Sequence, residues 1–380
     1  MKIALVTAYY YPQSHGGTEK YVHSLAKHLQ SKGHRVHVIT SYGEEITDYL
    51  YLGVKTFVLP AEKRLSNEII VGDRPSLNII PFEQLLLKEA YDNVHFHTLT
   101  PLFNIFHIQV AKKVAANIYF TAHVPGLTCI RGDLLKFGLG PCDGLVTKQR
   151  CTACFIQKMG YNKSLAVMLS TSVIFARYPK NLSGVVTKKL LEMHMLNSLI
   201  DKIFIFTHWQ ERILLMNGFS AEKLEKTSQL FEEIVPFLAV RKKVKNIGFV
   251  GRLCPEKGIQ SLINAFKNAK RFDINLNIAG IINEVGFYTE LRKKSEGFSN
   301  IKWNINLKEN ELNAFYQKVD LIIIPSTSFE TGPFVLYEAL KMKIPILANN
   351  LGDLQNWQEK GYDIQLYSSQ QELIAQIKTL

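Results

Sequence analysis

The chain opens on an apolar run at 2–7 and repeats the motif at 35–40, each of the length a buried strand takes. Between them Tyr21, Val22, Leu25, Ala26 and Leu29 recur three and four residues apart, which predicts a helix over 19–30. Gly33 stands just past it, where helices commonly stop. Strand, helix and strand in this order begin a parallel sheet. Further strands are expected at 93–97, 118–121 and 201–206, then a helix at 209–216. The charged stretch 221–245, interrupted by Pro236, reads as a linker. A second alternation follows, with strands at 246–251, 274–279, 301–304, 320–324 and 344–348. Helices at 258–268, 285–295, 309–317 and 333–341 lie between them. The expected fold class is α/β, with two doubly wound domains, 1–235 and 236–380, facing a central cleft. Ligands of such sheets bind at the carboxyl ends of the strands.

Composition changes little in this picture. At 380 residues the chain suits two domains. Its 47% hydrophobic and 21% charged residues are a globular balance. No apolar run reaches the length of a membrane span, and the start has no signal-peptide pattern, so a cytoplasmic protein is expected. The net charge of +12 divides into 26 − 19 = +7 over residues 1–235 and 19 − 14 = +5 over the rest. A charge spread this evenly is either ordinary surface chemistry or attraction to anionic ligands or an anionic membrane. No zinc-finger, basic-zipper or RNA-binding signature is present, so nucleic acid is not an expected partner.

Three loops carry the chemistry. The first joins the first strand to the first helix and contains Gly16-Gly17, where the backbone can approach a ligand at a helix N-terminus. It matches neither the Walker nor the dinucleotide pattern. The second is Gly251-Arg252-Leu253-Cys254-Pro255-Glu256-Lys257-Gly258. Here Arg252 offers a planar fork and Lys257 a mobile point charge, a pair suited to clamping a diphosphate. The third runs from Pro325 to Leu340. It places Glu330 in the loop, Pro333 in the first helical turn, and Glu338 a turn and a half further on. Backbone N–H groups of Gly332, Phe334 and Val335 are expected to face an anion, and the two carboxylates to accept hydroxyls of sugar and ribose.

Together these elements resemble the retaining glycosyltransferases of the GT-B fold, family 4, over the whole chain. Glu330-x7-Glu338 and the Gly251-to-Gly258 turn are the most specific parts; Gly16-Gly17, Val94-His95-Phe96-His97 and Thr121-Ala122-His123 fit the same pattern. The resemblance implies two Rossmann-like domains and a nucleotide-diphosphate sugar as donor, UDP or GDP foremost. Arg252 and Lys257 would neutralise the leaving diphosphate, and Gly251 belongs to their turn. Glu338 would bind the ribose and Glu330 the transferring sugar. His123 would lie near that sugar from the other domain, and Gly17 would approach the phosphates. The acceptor is expected to be a saccharide or lipid-linked saccharide, in polysaccharide or cell-envelope glycan synthesis. Without an Asp-x-Asp element the site is expected to work without a catalytic metal. A nucleotide-sugar epimerase on the same fold, or a non-catalytic nucleotide-sugar-binding protein, are the alternatives.

Cys129, Cys142, Cys151 and Cys154 cluster in an insertion at about 125–160. Structural zinc, packing thiols, and an iron–sulfur or redox centre are all open readings. A similar cysteine-bearing insertion occurs in part of the family. After it, residues 164–176 are uncharged and mostly apolar, followed by Arg177, Lys180, Lys188 and Lys189. This reads either as a buried helix or as a segment docking on the inner face of the membrane. The chain departs from the family at Lys341-Met342-Lys343, where a small turn is usual. It also stops at Leu380, without the return helices that family members usually add.

Overall fold

The structure, a computed structural model, describes residues 1–171, 182–229, 234–238 and 243–380. It divides into two units, Met1–Phe231 and Glu232–Leu380. The strands of the first unit are β1 (Lys2–Val6), β2 (Arg35–Gly43), β3 (Thr47–Tyr51), β4 (Val54–Pro60), β5 (Asn93–His97) and β6 (Asn117–Thr121). They continue with the short pair β7 (Leu135–Lys136) and β8 (Gly140–Pro141), then β9 (Lys202–Ile205) and β10 (Leu224–Lys226). Eight of them form one sheet in the order β10-β9-β6-β5-β1-β2-β4-β3, while β7 and β8 pair separately. Every neighbour in the large sheet is parallel except β3 against β4.

The second unit holds β11 (Asn246–Leu253), β12 (Asn275–Ile282), β13 (Ile301–Ile305), β14 (Leu321–Ile324), β15 (Ile346–Asn349) and β16 (Ile364–Tyr367). They form one parallel sheet in the order β13-β12-β11-β14-β15-β16. Its continuous apolar strands follow from burial on both faces. In β14, Leu321 and Ile323 point into one core with Phe249, Ile263 and Phe266. Ile322 and Ile324 point into the other with Leu336, Leu340 and Ile346. Both units are Rossmann-like.

Several elements depart from the pattern read along the chain. The β3–β4 hairpin turns at Leu52 and Gly53, both at positive φ (44° and 84°). Such turns normally announce themselves with Asn-Gly or Asp-Gly, and a Leu in the first place hides this one. The stretch 221–245 is not all linker, since β10 adds an edge strand to the first sheet. Tyr362 also ties Ile234 to the second unit, its hydroxyl donating to the carbonyl at 2.6 Å. The helix Gln370–Thr379 ends the chain and buries Leu373 and Ile377 in the core of the second unit. Of the apolar segment 164–176, residues 164–171 belong to the helix Lys163–Thr171. The remainder, with Arg177 and Lys180, lies outside the described residues. No helix among the described residues is long and apolar enough to cross a membrane.

Candidate functional site

In the second sheet β11 lies between β12 and β14, so the strand order reverses direction at the β11–β14 boundary. Ligands of such sheets bind beyond the carboxyl ends of the strands at this kind of reversal. Arg252 stands exposed near the end of β11. Beyond it a single 3-10 turn, Pro255–Lys257, ends on Gly258 at φ +67°. A Cβ on Gly258 would sit 1.8 Å from the Pro325 carbonyl oxygen, so only glycine lets the two loops meet. The amide of Thr327 donates to the Glu256 carbonyl at 2.9 Å and fixes the approach.

Across this junction Lys257 and Glu330 come together. The ammonium reaches both carboxylate oxygens, at 2.7 and 2.8 Å, with each side chain about one-fifth exposed. Ser326 Oγ also donates to Glu330 Oε1. Asn349, at the end of β15, donates to the Ser326 carbonyl at 2.9 Å. The sequence motif placed Lys257 on the diphosphate and Glu330 on the sugar as separate tasks, whereas the structure makes them one charged unit. Ser326 had no assigned role, although its place four residues before Glu330 in the same loop is a usable signal.

The helix Phe334–Lys341 follows Gly332, which sits at φ +111°. Pro333 is its N-cap with extended backbone (ψ 134°), one position earlier than the first-turn place expected for it. The reason is that the Pro333 carbonyl accepts from Leu336 at 2.9 Å, the bond that opens the helix. Phe334 and Val335 therefore hold their amides at the positive end of the helix dipole. Glu338 is half-buried and accepts from the hydroxyl of Tyr316 at 2.6 Å. Burial, then the carboxylate itself, pushes the Tyr316 phenol well above its ordinary pKa, so it remains a donor. Nothing in local sequence spacing marks this pair. We expect Tyr316→Phe to cost about 1–2 kcal/mol in urea denaturation, because a buried, charge-assisted hydrogen bond is lost.

In the first unit the corresponding reversal falls between β1 and β5. The helix Gly17–Ser31 starts there with Gly16 as N-cap. Glu19 folds back over this start, its buried carboxylate accepting from Ser14 Oγ at 2.6 Å. A Cβ on Gly16 would lie 2.4 Å from Glu19 Oε2. The Gly16-Gly17 turn is thus filled by the chain's own anion, and a ligand phosphate there meets a like charge. His123, just past β6, is buried beside His97 at the end of β5, with His97 Nδ1 3.0 Å from His123 Nε2. Burial lowers the pKa of His95 and His123 to about 3 and that of His97 well below the usual value. All three rings are neutral near pH 7.

The four clustered cysteines come close together in the first unit. Cys129, Cys142, Cys151 and Cys154 line one pocket, but no three or more His, Cys, Asp or Glu side chains among the described residues converge to hold a metal ion. The sulfurs are engaged separately with the chain. Cys154 Sγ accepts from the Phe137 amide at 3.3 Å and Cys151 Sγ from the Thr147 amide at 3.4 Å. Burial pushes the thiols of Cys142, Cys151 and Cys154 up. Structural zinc therefore finds no support among the described residues.

The family description "Glycosyltransferase Family 4" matches residues 15–167, and "Glycosyl transferases group 1" matches residues 231–377. An uncharacterised glycosyltransferase of Methanocaldococcus jannaschii is 26% identical over 363 residues, covering 93% of this chain and 82% of that protein. Among solved structures, sucrose-phosphate synthase from Thermosynechococcus elongatus superposes with a TM-score of 0.66 at 16% identity, over 100% of this chain and 89% of that one. Anabaena HepE, solved with UDP and glucose, superposes with a TM-score of 0.62 at 13% identity, over the same shares. Fold and matches together define the class, a GT-B glycosyltransferase. Within that class the chain belongs to the family 4 type.

Proposed function

We propose that this protein is a retaining glycosyltransferase that moves a sugar from a UDP- or GDP-sugar to a saccharide or lipid-linked saccharide during glycan synthesis. The observation that carries the reading is the Lys257–Glu330 pair at the β11–β14 reversal, with Arg252 near the end of β11 and the helix Phe334–Lys341 opening four residues after Glu330. Breaking the sugar–phosphate bond builds positive charge on the sugar and negative charge on the diphosphate. Arg252, Lys257 and the amides of Gly332, Phe334 and Val335 offset the second charge without a divalent ion. Glu330 faces the sugar and holds Lys257 in place; Glu338, held by Tyr316, takes the ribose hydroxyls. Attack comes from the face the phosphate leaves, and a phosphate oxygen takes the acceptor's proton, as the family resemblance implies.

The first unit, about 1–235, takes the acceptor and the second, about 236–380, the donor. Glu19 suits a ligand hydroxyl at the Gly16-Gly17 turn, so Gly17 meets the phosphates only with that carboxylate turned aside. The helix Lys163–Thr171 leaves Val167 and Met168 exposed beside Lys163 and meets an anionic membrane surface at the cytoplasmic face. A thermal-shift screen against UDP-, GDP-, ADP- and TDP-sugars identifies the donor; no stabilisation by any of them would count against the reading. We expect Arg252→Ala to weaken binding of that nucleotide diphosphate at least about tenfold, roughly 1.4 kcal/mol, by calorimetry. An unchanged affinity removes Arg252 from the clamp.

A further inference from the structure

We propose that His97 is a positioning residue that fixes the tautomer of His123, so that His123 carries its ring proton on Nδ1 and acts as a hydrogen-bond donor rather than a base. The two rings are buried at the ends of adjacent strands, with His97 Nδ1 and His123 Nε2 3.0 Å apart. His95 stacks on His97 at 4.3 Å, and Tyr21 and Phe206 close on His123 at 4.9 and 5.5 Å. His95 Nε2 is engaged with Thr121 Oγ1 at 2.7 Å and does not compete for His97.

A neutral imidazole carries one N–H, so one ring of the pair donates and the other accepts. If His123 donated from Nε2, the proton of His97 would have to sit on its own Nε2. That atom is buried without a hydrogen-bond partner among the described residues, and a buried N–H with no acceptor is among the rarest arrangements in folded proteins. If His97 donates from Nδ1, its Nε2 is left only as an unpaired acceptor lone pair. The second arrangement leaves the smaller debt. It commits His123 Nε2 to accepting, and the ring proton of His123 to Nδ1. Burial keeps the whole cluster uncharged, so neither ring escapes the choice by taking a second proton. The functional consequence rests on the reading that His123 lies near the donor sugar: it then offers an N–H to a sugar oxygen and abstracts no proton through Nε2.

Long-range proton–nitrogen correlation spectra of the full chain labelled with nitrogen-15 histidine test the assignment directly, His123 being identified by the signal lost in His123→Gln. The expected pattern is a protonated Nδ1 and an unprotonated Nε2 on His123. A protonated Nε2 overturns the proposal whatever the variants do. His97→Asn keeps an N–H near the position of Nδ1 and preserves the pattern, whereas His97→Leu removes the donor and shifts it. In transfer assays His97→Leu lowers kcat about tenfold or more with the donor KM within about twofold, and His97→Asn restores it. Equal losses in the two variants would reduce His97 to a packing residue. If the spectra agree but no nucleotide sugar is turned over by the unaltered protein, the glycosyltransfer reading fails and the tautomer assignment stands.

Discussion

Glu330→Ala is expected to lower kcat/KM by about a thousandfold, roughly 4 kcal/mol of transition-state stabilisation, in initial-rate assays with the identified donor. Three losses coincide in this one change. The carboxylate is the partner of Lys257 through both oxygens and of Ser326 through one. Without it Lys257 loses the anchor that aims it, and the sugar side of the site loses its negative charge. The folded state loses much less. Both members of the pair are only about one-fifth exposed but still reach water, so the freed ammonium can hydrate and the loss should be about 1–2 kcal/mol, above a surface pair and below a fully buried one. The thermal midpoint of the variant should therefore stay within a few degrees of the parent. Glu330→Gln separates the contributions, because it keeps an acceptor for Ser326 but no charge for Lys257. If charge is what matters, Gln behaves like Ala. Near-normal activity in the Ala variant would remove Glu330 from the site.

The residues of this site were legible along the chain; their mutual arrangement was not. Apolar runs such as Leu321–Ile324 read as strands because burial on both faces leaves no polar position among them. Arg252, Lys257, Glu330 and Glu338 stood out because they fall in or just beyond the loops after two expected strands, in the order and spacing of the family they resemble. The contact between Lys257 and Glu330 spans 73 residues. It depends on β11 and β14 being neighbours, a property of strand order that no local spacing encodes. The Tyr316–Glu338 bond is hidden for the same reason, since it needs the helix Glu309–Tyr316 to pack beside Phe334–Lys341. The cysteines left three readings open along the chain, because spacing alone does not say whether sulfurs meet; in the fold two of them accept from the backbone amides of Phe137 and Thr147. Glu19 was not singled out along the chain, because its return to Ser14 over the start of the helix is a property of the loop's fold and not of the glycine pair.

Gly258→Ala should have the largest effect on stability, a loss of at least about 3–4 kcal/mol, in the range reserved for direct steric conflict. Two costs add. Gly258 adopts φ +67°, which costs an alanine about 1 kcal/mol or more. Its Cβ would also lie 1.8 Å from the carbonyl oxygen of Pro325, and a backbone atom at the end of a buried strand cannot swing aside as a lysine tip does. Gly297 is the internal control. It has φ +80°, but a methyl carbon placed there would meet nothing within 4 Å, so Gly297→Ala carries only the backbone cost, about 1 kcal/mol. Urea unfolding followed by the fluorescence of Trp303 and Trp357, both in the second unit, distinguishes the two variants. Equal midpoints would mean that the β11 and β14 loops do not touch as described. The unequal outcome ties stability to function, because the strand-end junction that Gly258 permits is what carries Lys257 to Glu330. A methyl group there should weaken nucleotide binding even under conditions where the chain remains folded.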